Sequence, residues 1–273
     1  MIRPRALGGG IELFAVRTPT LPPATTTNSY ALGRRDVVLV EPATPFDDER
    51  AAWLGWARSF AGEGRRVRAI LLTHHHSDHA GAAGVFARAL DVPLLLHPQT
   101  RSRVGDLGGV ELGLLEEGAA LPVDDGGFVA LHTPGHAPGH LCAWSAAARV
   151  LVAGDMVANG STIVVPPDDG GDMADYLAEL RRLRALEPAL LLPAHGEPID
   201  APAAVLDHYV AHREAREAKI TAAFEQRARA LGRRPTPEEL LPLAYDDTPM
   251  RLWPLARQSL DAHLRKLERE GRL

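Results

Sequence analysis

The segment 73–79, THHHSDH, constrains this chain more than any other seven residues in it. It sets imidazoles at His74, His76 and His79 and a carboxylate at Asp78 within one turn of chain. Packing has no use for so many metal-preferring groups in so short a run, whereas metal coordination does. The preceding VRAILL (67–72) is apolar and branched, as a strand buried on both faces is. Residues 80–90 are Ala-rich with Gly81 and Gly84, and the pattern predicts a helix packed close to its neighbour. The motif therefore sits on a strand-to-helix loop, where rigid flanks fix the ligand positions.

The same patterning places the other elements. Residues 11–17 and 28–41 read as paired strands joined by a Pro/Thr-rich loop. Residues 48–61 read as a helix with Trp53, Trp56 and Phe60 on one face, a core stripe. A short strand at 93–97 precedes a Gly- and acid-rich stretch, 98–127, with little regular structure. Strands fit 128–133, 141–145 and 149–153, a helix fits 173–186, and a buried strand fits 189–193. The character changes near Ala201, which divides a catalytic domain, 1–205, from a small domain, 206–273. The latter reads as three helices, 206–231, 236–244 and 250–270, with Thr236 as a cap and Gly271 as a stop. Three helices ending in a basic one suggest a winged-helix-like module without a completed hairpin wing.

Three more positions complete a ligand set. His136 lies in TPGHAPGH, Asp155 in VAGD and His195 in PAHG, each just past an expected strand and bounded by Gly or Pro. All could project from one edge of a sheet assembly. With His74, His76, Asp78 and His79 this makes seven groups, too many for one tetrahedral zinc and suited to two. His74, His76 and His136 are assigned to one metal, Asp78, His79 and His195 to the other, and Asp155 bridges them. Imidazoles and carboxylates without thiolate suit Zn²⁺, with Mn or Fe also possible. Two such ions roughly 3.5–4 Å apart ionise a shared water near neutral pH. His75 points away from its neighbours on an extended loop and is left out of the set. His140 is read as a supporting group, and His97, His132, His208, His212 and His263 as ordinary residues.

Composition sets the limits. At 45% hydrophobic, 273 residues can bury a sizeable core. No run is long enough to span a membrane, and MIRPRALGGGIELF lacks the apolar stretch of a signal peptide. The single cysteine, Cys142, excludes an internal disulfide and reads as a buried thiol, so a cytoplasmic location is expected. No membrane partner is expected, and nothing specifies an oligomeric state. A net charge of −5 offers no bulk attraction for nucleic acid. Yet residues 206–273 carry 13 Lys+Arg against 11 Asp+Glu, leaving −7 on the rest. Arg251, Arg257, Arg265, Lys266, Arg269 and Arg272 on the last helix either hold a phosphate backbone or form a solvated face with Glu268 and Glu270.

THHHSDH, TPGH, GD and PAHG, in this order, resemble the metallo-β-lactamase superfamily over about residues 10–200. The resemblance implies an α+β fold, a four-layer αββα sandwich with metals at one sheet edge, followed here by the small helical domain. The bridging Asp155 departs from the true β-lactamases and argues against antibiotic hydrolysis. DHYVAHREAREAKI (207–220), HLRKLEREGRL (263–273) and GDMVANGSTIV (154–164) are similar to the β-lactamase-like protein 2 group of endoribonucleases. That implies a dinuclear metal-dependent phosphodiesterase acting on single-stranded RNA through a metal-bridging hydroxide. Asp78, Asp155 and His195 would be its catalytic groups: Asp78 orients the nucleophile, Asp155 links the ions, and His195 or a metal-bound water protonates the leaving group. HHHxDH is also the spelling of glyoxalase II, which would make the substrate a small ester, thioester or lactone. A mononuclear iron persulfide dioxygenase would use only His74, His136 and Asp155, and a metal-stabilised winged-helix regulator would need no reaction at all.

Overall fold

The computed structural model describes residues 3–124 and 127–273. The start of the polar N-terminal stretch (1–2) and part of the expected 98–127 loop (125–126) lie outside the described residues. The chain divides into two compact units. The first comprises Met1–Thr133, Gly139–Ser161 and Glu187–Pro202, and the second Pro134–Pro138, Thr162–Leu186 and Ala203–Leu273.

Two sheets form the first unit. One has seven strands in sequence order: β1 (Arg5–Gly8), β2 (Ile11–Arg17), β3 (Thr26–Leu32), β4 (Asp36–Val40), β5 (Arg66–Leu71), β6 (Leu94–Leu96) and β7 (Leu112–Leu114). Pairing is antiparallel as far as β4 and parallel from β4 to β7. The other sheet has the order β11-β10-β9-β8, with β8 (Val129–His132), β9 (Leu141–Ser145), β10 (Val150–Gly154) and β11 (Leu190–Pro193).

The period of two along each strand sorts its side chains between two cores. Leu13, Tyr30, Leu32, Val38, Val40 and Leu71 join Ala130, Leu141, Val150, Val152 and Leu192 in the core between the sheets. The alternate residues Phe14, Val16, Val37, Leu39, Ile70 and Leu72 face outward. Helices α1 (Asp47–Gly62) and α3 (Ala83–Leu90) cover that face with Trp53, Trp56, Phe60 and Phe86. Trp53 stacks on Phe86 with ring centroids 4.0 Å apart. Strands buried on both faces explain the near-continuous apolar runs read from the sequence. Cys142 is a buried thiol on β9.

Three local expectations in the first unit need correction. Residues 28–41 are two strands, because the chain reverses at Gly33, where φ is +115° and a Cβ would strike the Asp36 carbonyl. Residues 80–90 are not one helix: a single turn, α2 (Ser77–Ala80), ends before α3 begins. The loop 98–127 also contains α4 (Pro98–Arg101) and β7, too short to leave a periodic signal.

The second unit is helical: α5 (Met173–Ala185), α6 (Pro202–Leu231), α7 (Pro237–Ala244) and α8 (Trp253–Arg269). Its core joins Ile220, Ala223, Leu240, Tyr245, Leu260, Leu264 and Leu267. Thr236 and Glu239 close a reciprocal capping box at the start of α7. The last helix begins at Trp253 rather than 250, because Met250–Leu252 form a 3₁₀ turn ahead of Pro254, which suits a first helical turn. Gly271 follows α8 at φ +66°, the left-handed stop expected of it. Among the described residues, no helix is long and apolar enough to cross a membrane.

Candidate metal centre

β5 ends at Leu71, and the next residues leave the sheet carrying the histidine motif. Asp155 directly follows β10, and His195 follows β11 by two residues. Strand ends thus deliver six of the sequence-named groups within the first unit: His74, His76, Asp78, His79, Asp155 and His195. His74 and His79 are fully buried, with ring centroids 4.0 Å apart. His136 belongs to the second unit, on the segment Pro134–Pro138. It is buried, and its Nδ1 lies 2.8 Å from the Val164 carbonyl.

The separations between donor atoms are informative. Asp155 Oδ1 lies 3.5 Å from His79 Nε2 and 3.4 Å from His195 Nε2. Asp78 Oδ2 lies 3.6 Å from His195 Nε2, and Asp78 Oδ1 lies 3.8 Å from His79 Nε2. These are too long for good hydrogen bonds. Two ligand atoms on one tetrahedral cation, each ~2.0–2.2 Å from it, lie ~3.3–3.6 Å apart. Asp78, His79 and His195 therefore have the spacing of groups that share an ion. His74 Nε2 and His76 Nδ1 form a second converging pair at 2.9 Å.

The Nε2 of the fully buried His79 makes no hydrogen bond, while its Nδ1 lies 3.1 Å from Glu41 Oε1. An unsatisfied buried nitrogen facing acids is costly unless a cation completes it. The local field asks for one. Burial opposes charge on His79, but Glu41, then Asp155 and Asp78, outweigh it and raise the ring's pKa well above 6.5. The donor set fits a divalent ion, as this chemistry requires.

The rings are aimed from behind. His195 Nδ1 lies 2.9 Å from the Thr26 carbonyl. A carbonyl only accepts, so Nδ1 carries the proton and Nε2 keeps the lone pair facing the acids. The same logic leaves His136 with its lone pair on Nε2. The His195 loop is clamped by β3: Asn28 Nδ2 donates to the Pro193 and Gly196 carbonyls, and Tyr30 Oη donates to Pro193 at 2.8 Å. His140 is buried, which drives its pKa down to about 3 and keeps the ring neutral. Its Nε2 accepts the Asp155 backbone N–H at 3.1 Å, and its Nδ1 lies 2.7 Å from Thr133 Oγ1. Gly154 lets the ring come this close, since a Cβ there would sit 2.5 Å from His140 Nε2.

Glu41 joins this cluster, in a group with His74 and His79 that could hold an ion, and the sequence reading passed over it. It is 1% exposed, just past β4, at a positive φ of +61°. The Ser29 hydroxyl donates to its carbonyl, and its N–H donates to Leu71. Its Oε1 accepts the Thr73 hydroxyl at 2.6 Å and lies 3.1 Å from His79 Nδ1. The available signal was a lone carboxylate directly after DVVLV, at the same sheet edge as the histidine motif.

Comparison with known proteins agrees. Residues 22–195 match the metallo-beta-lactamase superfamily model, and residues 236–273 match the beta-lactamase associated winged helix domain. A beta-lactamase-like protein 2 homolog of Drosophila melanogaster is 27% identical over 90% of this chain and 84% of its own. The Caenorhabditis elegans homolog is 26% identical over 90% of this chain and 79% of its own. A metallo-beta-lactamase family protein from Thermus thermophilus superposes with a TM-score of 0.73 at 26% identity, covering 97% of this chain and 95% of that one. Two-sheet architecture, strand-end histidines and these matches together establish that the chain belongs to the metallo-β-lactamase superfamily of metal-dependent hydrolases.

Proposed function

We propose that this chain is a dinuclear metal-dependent phosphodiesterase acting on single-stranded RNA. The observation that carries the metal-dependent part of the reading is the placement of Asp155 Oδ1, 3.5 Å from His79 Nε2 and 3.4 Å from His195 Nε2, with His74 packed against His79. A carboxylate there can share an ion with His79 and His195, and in this reading it also reaches the ion of His74 and His76. The ligand set is the one named from the sequence: His74, His76 and His136 for one ion, Asp78, His79 and His195 for the other, and Asp155 for both. Zinc is the metal of first choice for these donors, with Mn or Fe as substitutes. When bound, two such ions supply an ionised water at neutral pH and offset charge on the phosphoryl oxygens.

The chain's own groups do the rest. The Thr26 carbonyl fixes the His195 tautomer. Asp78, part-exposed and 3.6 Å from His195, would orient the attacking water and take its proton. The similarity to beta-lactamase-like protein 2 homologs across both units supports a substrate handled by that group of proteins. A cytoplasmic setting, with Cys142 held as a thiol, belongs to the same reading.

The test is metal analysis together with a labelled single-stranded RNA assay, run beside S-lactoylglutathione and repeated with Asp155→Ala. About two divalent ions per chain are expected, with RNA cleaved, the thioester spared and the variant inactive. Thioester turnover without RNA cleavage would replace the reading with a glyoxalase II-like one. A single iron would replace it with a dioxygenase, and full activity in the variant would remove Asp155 from its role.

A further inference from the structure

The basic face of α8 is the obvious place for a phosphate backbone, but its cations are already engaged. Arg257 pairs with Glu238 and Asp261, and Arg265 with Asp168. Lys266 and Arg272 both pair with Glu217 and Glu270, and Arg269 pairs with Asp172. Each of these cations already has an acidic neighbour that offsets its charge toward a polynucleotide.

The metal loop offers another surface. A groove of about 420 Å³ runs between the α2–α3 segment and the loop 103–108. It begins at His75 and Ser77, the residues interleaved with His74, His76 and Asp78 in the motif. His75 and Ser77, on either side of His76 at the start of α2, thus put the groove beside the metal loop. Arg88 and Arg103 line the groove, and both are exposed. Arg88 spends one of its five N–H donors on the Leu107 carbonyl at 2.7 Å. The acidic member, Asp106, accepts the Gly108 N–H at 2.8 Å. The floor is kept low by Gly81 and Gly84, where a Cβ would strike the Ser77 and Leu107 carbonyls. The α3 N-terminus opens onto the same space and adds positive partial charge.

We propose that this groove is a subsite for a second phosphate of the substrate, the phosphodiester next to the one being cleaved. It rests on the phosphodiesterase reading and names where the chain of the substrate runs. Arg88 and Arg103 supply the charge, Ser77 a hydroxyl, and His75 links the groove to the metal loop. A substrate with one phosphate has nothing to place there, whereas an oligonucleotide does.

The metal-loaded full chain is titrated with a fluorescein-labelled single-stranded tetranucleotide at several salt concentrations. Wild type is set against Arg88→Gln/Arg103→Gln and against Arg103→Gln alone, which leaves the Arg88 bond to Leu107 intact. The double variant should bind at least about tenfold more weakly. Its salt dependence should be shallower by about 0.7, the worth of one phosphate contact on a single strand. The ratio of oligonucleotide KM to bis(p-nitrophenyl) phosphate KM should rise about tenfold as well. Unchanged binding in both variants overturns the subsite even if RNA is cleaved. Binding that depends on both arginines in a protein that cuts no RNA leaves the subsite standing and removes the phosphodiesterase reading. Displacement by inorganic phosphate as effectively, mole for mole, as by unlabelled tetranucleotide overturns the neighbouring-phosphodiester assignment in favour of a free-phosphate site.

Discussion

Glu41 and Glu217 are both buried carboxylates, 1% and 6% exposed, and they serve opposite ends. Glu41 faces the Thr73 hydroxyl and the His79 ring, neither of which carries a permanent charge of its own, and it raises the pKa of that ring. It is held there by its own backbone, in a left-handed conformation that a non-glycine residue adopts at a cost of about 1–3 kcal/mol. Glu217 faces Lys266 at 2.8 Å, Arg272, and His263 at 3.6 Å. Its charge is consumed in place. A buried acid surrounded by permanent cations is a fastening, whereas a buried acid facing a hydroxyl and an imidazole draws positive charge, as a proton or as a metal ion, to the ring beside it.

The difference predicts unlike mutant behaviour, and the largest effect belongs to Glu217. Glu217→Ala leaves Lys266 and Arg272 without their shared partner and should cost about 3–5 kcal/mol in urea unfolding. Metal content at saturating zinc should be unchanged. The His263 ring, against burial, and then Lys266 and Arg272 hold the Glu217 carboxyl down at about 2, below the usual 4.5. A depressed carboxyl contributes stability that is fully present above 4.5 and is lost as the pH falls from there through 2. Wild type should therefore lose stability across that window, and Glu217→Gln should lose less. Equal acid sensitivity in the two would contradict the fastening role.

Glu41→Gln should do the reverse. It keeps the shape and the Thr73 contact but removes the charge facing His79. Zinc affinity should fall about 10–100-fold, with unfolding in the presence of excess chelator little altered. Competition against a chromophoric chelator measures the first and urea titration the second. A variant that binds zinc like wild type but unfolds early would make Glu41 another Glu217.

How much of this was legible in the chain follows the same division. The strand-end histidines and acids announce themselves because their residue types are rare in apolar surroundings and recur after β5, β10 and β11. The helix 48–61 and the buried strands were legible because packing on two faces leaves a period in the sequence. Glu41 was not, because one carboxylate after a strand looks like any surface acid until the sheet brings β4 beside β5. The engagement of Arg265, Lys266 and Arg269 was equally hidden. Helical spacing shows that they share one helix, but Asp168, Glu217 and Asp172 arrive from 49 to 97 residues away. Gly81 reads as a residue inside a helix, and only the nearby Ser77 and Ala43 carbonyls show why no side chain fits there.

The smallest effect is also the finest test of the contrast. Thr73 has one hydroxyl proton, and it goes to Glu41 Oε1 at 2.6 Å, because a carboxylate can only accept. The same oxygen of Thr73 lies 3.0 Å from His74 Nδ1. With its proton committed, the hydroxyl meets that ring as an acceptor, so Nδ1 carries the hydrogen and Nε2 keeps the lone pair that faces His76. Glu41 thereby sets the tautomer of His74 through Thr73 while facing His79 directly. Thr73→Val removes the relay and nearly preserves the volume. It should weaken one zinc by about threefold to tenfold, the worth of one net hydrogen bond, and leave the other within error. Stepwise zinc titration resolves the two sites. If both weaken together, Glu41 acts on the cluster as a whole and its two contacts are not separate; if neither does, the hydroxyl is only packing and the influence of Glu41 stops at His79.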